Sequence, residues 1–239
     1  MKFIFNICCL VAVFISLFAV IRFWKSYKET GILQSKNYFF GFLLISLAFF
    51  LLFLPSAILF NPSWIQIAFI LVDLSLAGAG LFLLPATFSF TKSSIFFQKM
   101  LSLIIPLILV IYIILNIYFF KPAILLCSDG ICYWKNGVFW LHSIIWLPFA
   151  LGVGFMGFWF LFGARKIKEQ KLFRRSFLFG LMAILILIGG ILFWYFKFFN
   201  PSSKILIISG IIGDLGFLFG VIASFLYQYS REPLVEKIT

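Results

Sequence analysis

Two acidic residues, Asp73 and Asp214, stand inside long apolar runs of this chain. A carboxylate in a segment greasy enough to cross a bilayer costs about 3 kcal/mol at its centre unless it is protonated, paired or wetted. Each is therefore a candidate for proton or cation chemistry by default. Asp73 shares one helical face with Ala77 and Gly80, at i, i+4 and i+7. Gly210, Gly213, Gly216 and Gly220 form a smooth face with Asp214 at its edge. Small residues let helices approach closely, so both acids are expected to point into a bundle. One reading is a protonatable pair or a cation site. The other, which is favoured, is two neutral or hydrogen-bonded carboxyls that tie helices together through Asn116, Gln66 or Ser hydroxyls. If the two acids share a site, like charges oppose the ionisation of both.

The remaining reactive side chains offer less. Cys127 and Cys132 bracket Ser128-Asp129-Gly130-Ile131, and four intervening residues with a glycine leave room for a disulfide-closed loop on an oxidising face. The redox spacing Cys-x-x-Cys is absent, so a structural bridge is expected ahead of free thiols. Cys8 and Cys9 sit in an apolar run and read as small packing residues. His142 is the single histidine, set between Trp140 and Trp146, and reads as an interfacial polar residue. One histidine supplies neither bis-histidine haem ligation nor a His-rich metal site. There is no nucleotide-binding loop, zinc signature or GxSxG elbow. A retinal protein needs a lysine inside its last helix, whereas Lys204 lies only at the mouth of that helix. No catalytic residue, metal site or cofactor is assigned. An intramembrane enzyme would have to use the two acids without supporting nucleophiles.

The elements that must position these residues follow from composition. The chain of 239 residues is 64% hydrophobic and 11% charged with mean hydropathy +1.17, against roughly 25% charged in soluble domains. A soluble globule has nowhere to hide so much apolar surface, so the class is a polytopic, all-α integral membrane protein. The net charge of +12 does not point to nucleic acid, because the cations sit in short loops between spans. There they orient helices and meet anionic head groups. The 36 phenylalanines read as lipid-facing bulk.

Seven apolar runs are long enough for a core of about 30 Å. They cover residues 3–21, 38–59, 64–88, 100–119, 137–163, 176–196 and 205–227 of a single domain, with Pro106 expected to kink the fourth. The first opens like a signal peptide, but no small-x-small site follows and its positive charge comes after the apolar run. An uncleaved span with an outside N-terminus is expected. The densest basic stretch holds Arg165, Lys166, Lys168, Lys171, Arg174 and Arg175. Short basic loops stay in the cytoplasm. With that loop inside, fourteen of the nineteen Lys and Arg fall on inner segments, and the C-terminus is cytoplasmic. Five fall outside: Lys2, Lys121, Lys135, Lys197 and Lys204. Trp64, Trp134, Trp140 and Trp194 gather at the outer boundary as an aromatic belt. The longest outer loop, 120–136, carries the cysteine pair. The expected location is the plasma or inner membrane.

An N-out layout, a basic turn after the first helix, Trp140 at the start of the fifth, and a basic loop feeding Phe173-Arg174-Arg175 with a Gly-containing sixth helix together carry a resemblance. The chain resembles the seven-helix N-terminal sensor region of some bacterial histidine kinases. In that family the last helix continues into a signalling helix and a kinase. Neither a phosphoacceptor histidine nor an ATP-binding domain follows here, so the resemblance implies a sensor module without its own output, and it carries over no ligand-binding residue. The expected function is a non-enzymatic, sensor-like or scaffold module acting through a cytoplasmic or membrane partner. The alternative is a small proton- or cation-coupled transporter using Asp73 and Asp214.

Overall fold

Long runs of Leu, Ile, Phe and Ala can satisfy their backbone groups away from water only by coiling into helices. A computed structural model describes residues 3–57, 61–88, 95–128, 131–165, 168, 170–198 and 203–228. Seven helices lie among the described residues: α1 Phe3–Thr30, α2 Leu33–Ala57, α3 Pro62–Phe88, α4 Ile95–Tyr118, α5 Phe139–Ala164, α6 Gln170–Phe198 and α7 Ser203–Gln228. Three of them are long and apolar enough to cross a membrane, over Ile7–Thr30, Leu33–Leu54 and Pro62–Pro85. The other four carry shorter apolar stretches, Leu103–Tyr118, Gly152–Gly163, Ser176–Leu192 and Ile207–Gly220.

Burial runs opposite to that of a water-soluble protein. Phe14, Ile21, Leu103 and Ile117 face outward, while Ser16, Gln66, Asp73 and Asn116 are buried. An apolar exterior over a partly polar interior is what a hydrocarbon solvent selects, because polar groups must then find partners inside the bundle.

Two expected loops are instead largely helical. The basic segment after the first apolar run lies on the end of α1, and only Gly31 and Ile32 separate it from α2. Gly31 takes φ +67° and its N–H donates to the Tyr27 carbonyl at 2.8 Å. This is the left-handed stop that glycine makes cheap. Lys28 lies over the Trp24 ring and Lys36 over that of Tyr27. In the same way α6 begins at Gln170, so Lys171, Arg174 and Arg175 stand on its first turns. Lys, Arg, Gln and Glu are good helix formers. Hydropathy marks where the apolar stretch ends, not where the helix does.

The expected outer loop contains a hairpin. Strand β1, Ile124–Ser128, pairs antiparallel with β2, Ile131–Lys135, in the register Ile124↔Lys135 to Ser128↔Ile131. Asp-Gly at the centre is a strong hairpin signal in the sequence. The hairpin is an addition to the all-α expectation. Helix α4 is continuous through Pro106.

Six helices close a ring in the order α1, α2, α3, α5, α6, α7 and back to α1, while α4 packs outside it on α3 and α5. The tightest seam joins α6 and α7. A side chain at Gly189 would come within 3.0 Å of the Ser209 carbonyl, and one at Gly216 within 3.0 Å of the Met182 carbonyl. Ser209 Oγ donates to the Gly189 carbonyl across the same seam at 3.0 Å. Glycine is required there because two backbones touch.

Candidate functional site

One face of α3 runs through Gln66, Asp73, Ala77 and Gly80, and it turns inward because its neighbours are small or polar and their partners lie on other helices. Asp73 is completely buried. Its Oδ2 accepts from the hydroxyl of Tyr112 on α4. Its Oδ1 accepts from the indole Nε1 of Trp146 on α5 at 3.1 Å and lies 2.5 Å from Nδ1 of His142, also on α5. His142 and Trp146 are four residues apart, so they share one face of their helix and reach the same carboxylate. Their ring centroids are 5.3 Å apart. The acid thus joins three helices and binds the outlying α4 to the ring.

His142 is 4% exposed and packed on Asp73, a contact the sequence reading did not include. The expected partners of the acids are also redistributed. Gln66 Nε2 donates to Asn136 Oδ1 at 2.9 Å, and its Oε1 accepts from the Gly137 N–H at 2.9 Å. Asn136 Oδ1 also accepts from the Val138 N–H, and Asn116 Nδ2 donates to the Tyr112 carbonyl. The Ala123 N–H donates to the Pro62 carbonyl at 3.1 Å. Gln66 therefore fastens the base of the hairpin to α3, two turns from Asp73. Tyr112 did not figure in the sequence reading, and Trp146 entered it only as a neighbour of His142. The available signal was the spacing of His142 and Trp146, a polar pair on one face of an apolar helix.

Asp214 has a different setting. It is half-buried on α7 and lines a partly open cavity of about 130 Å³ to which all six helices of the ring contribute. The thiol of Cys8, on α1, donates to its carboxylate. Cys8 is also close against Gly210 one turn earlier on α7. Trp146 lines the same cavity, as do Tyr38, Phe42, Phe149 and Phe179. Among the described residues no hydrogen bond or ion pair joins Asp73 to Asp214. Trp146 connects them indirectly, with its N–H on the first acid and its ring on the cavity that holds the second.

Among the other predicted residues, Cys127 and Cys132 are register partners in the hairpin, directly opposite each other. Opposed antiparallel residues have Cα separations of about 4.5 or 5.5 Å, and both values suit a disulfide. Their side chains lie outside the described residues. In the basic segment Arg165, Lys168 and Arg174 are exposed, with Arg165 over the Phe162 ring at 5.2 Å. Lys166 lies outside the described residues, as do the side chains of Lys171 and Arg175.

No protein-family model matches this chain, and no curated protein matches it.

Proposed function

We propose that this is a multi-pass, sensor-like membrane module that takes a small ligand inside its helix ring and acts through a partner at the basic end. The observation that carries the reading is Trp146, whose ring lines the cavity while its N–H holds the buried Asp73 cluster. Occupancy that moves this indole also moves the hydrogen bonds tying α3, α4 and α5 together. The reading includes seven crossings in the plasma or inner membrane, with the N-terminus outside. It also includes a partner that meets Arg165, Lys168 and Arg174 in the cytoplasm. Cys127 and Cys132 form a bridge on the outer face in this arrangement, as their register allows.

The test is crosslinking from a Lys168→Cys variant in native membranes, followed by affinity capture of the full chain. Labelling of this cysteine from the cytoplasmic side only, with stoichiometric recovery of one output protein, is the expected result. Charge reversal at Arg165 and Arg174 then abolishes the recovery. Labelling from the outer side overturns the orientation, and recovery of the chain alone overturns the partner.

A second reading has its own observation. His142 Nδ1 and the buried Asp73 carboxylate lie 2.5 Å apart, one side chain away from the Asp214 cavity. That arrangement suits a proton-coupled transporter. Flux in proteoliposomes that disappears in both Asp73→Asn and Asp214→Asn would establish this reading, and equal flux in both variants excludes it.

A further inference from the structure

The cavity inside the helix ring has a polarity that specifies its occupant. About 130 Å³ is close to the roughly 150 Å³ that admits a benzene ring in a buried protein cavity. The walls are dominated by aromatic and aliphatic side chains, with Trp146, Phe149, Phe42 and Tyr38 among the rings. Among the described residues that line it there is no Lys, Arg or His, and there is one acid, Asp214. Among the described residues its partner is the Cys8 thiol, a weak donor. A carboxylate in such surroundings stays costly unless it is protonated or a cation or strong donor meets it. Aromatic faces add to the attraction for a cation. An anionic or purely hydrocarbon occupant would leave the acid without compensation.

We infer that the helix ring binds a single-ring or short-chain amine, with its ammonium on the Asp214 carboxylate and its apolar body against Trp146 and Phe149. This assignment rests on the reading of the cavity as a ligand site and names the chemistry of the ligand. Hydrophobic amines of this kind partition into bilayers, so such a ligand reaches the ring from lipid as well as from water.

The probes are benzylamine and its neutral isostere ethylbenzene, which have the same number of heavy atoms. Both are titrated into the purified full chain in lipid nanodiscs, with binding read by calorimetry and by ligand-dependent thermal stabilisation. The expected result is benzylamine binding at least about tenfold tighter than ethylbenzene, the scale of one charge-assisted hydrogen bond. Asp214→Asn should reduce that preference to near unity while ethylbenzene binding persists. Gly190 faces the cavity, and a Cβ there would stand in ordinary contact with the Trp146 ring at 3.8 Å, so a longer side chain would extend into the space beside it. Gly190→Leu should therefore exclude both probes. Equal binding of the two probes by the unaltered chain overturns the amine assignment and leaves the cavity reading intact. Saturable binding of neither probe overturns the cavity reading as well. The comparison on the unaltered chain decides the matter even if a variant does not fold.

Discussion

Asp73 and Asp214 are the same side chain, at similar depths in their helices, and they have been given opposite surroundings. Asp73 is buried to 0% exposure among a phenol, an indole and an imidazole from two other helices. Asp214 is half-buried on a cavity wall with a thiol beside it. A carboxylate with both oxygens engaged by buried side chains is a cross-link, whereas one that lines an apolar cavity is available to something else. The contrast separates stability from binding: replacing Asp73 should damage the bundle, and replacing Asp214 should damage recognition.

The largest effect should come from Asp73→Leu. It strands the Tyr112 hydroxyl, the Trp146 N–H and His142 in a buried place, and removing one partner of such a cluster costs about 3–5 kcal/mol. Unfolding in mild detergent should show the loss, with α4 released first because Tyr112 ties it to the ring. A variant as stable as the parent would mean that the cluster is not a cross-link. Tyr112→Phe comes next. It deletes one hydrogen bond to a buried acid and keeps the ring's volume, and it should cost about 1.5–3 kcal/mol. The contrast between the acids sharpens if Tyr112→Phe weakens the bundle while amine binding at Asp214 is unchanged.

Smaller again is the effect at the α6–α7 seam beneath Asp214. Gly216→Ala places a methyl 3.0 Å from the Met182 carbonyl and 3.1 Å from the Ile186 nitrogen, which should cost about 1–3 kcal/mol as the helices part. Gly213→Ala, one turn away, meets nothing within 4 Å and should leave stability unchanged or raise it by up to about 1 kcal/mol. Equal effects of the two substitutions would show that glycine serves helix flexibility here instead of close approach.

These contrasts also mark where the sequence was readable. The helical class followed from hydropathy, and the inward direction of both acids followed from the small residues at Ala77, Gly80, Gly210 and Gly213. Both signals are local, and local spacing survives without knowledge of the neighbours. What Asp73 touches was not legible, because Tyr112 and Trp146 lie 39 and 73 residues away. Helix order in a ring is not written in any one helix. Asn116 and Gln66 were sensible partners by type, yet Gln66 is spent on the base of the hairpin. The helix ends at Thr30 and Gln170 were hidden because charged helix formers continue a helix beyond its apolar part. The hairpin carries a visible Asp-Gly signal, but it lies between two long apolar spans whose hydropathy dominates that part of the sequence.

The smallest effect on stability should be that of Asp214→Asn. The amide keeps the volume of the side chain and still accepts from the Cys8 thiol, and it removes a charge from an apolar wall. The change should therefore stay within about 1 kcal/mol. Placed beside Asp73→Asn in the same detergent, it turns the comparison into a direct measurement. In Asp73→Asn the amide must place its N–H where one carboxylate oxygen now accepts from Tyr112 or Trp146, so a buried hydrogen bond is lost at a cost of about 1–3 kcal/mol. Asp214→Asn, by contrast, should unfold with the parent while losing its preference for an amine. If both variants are destabilised equally, then Asp214 is a second cross-link, and the cavity beside it is a packing defect instead of a binding site.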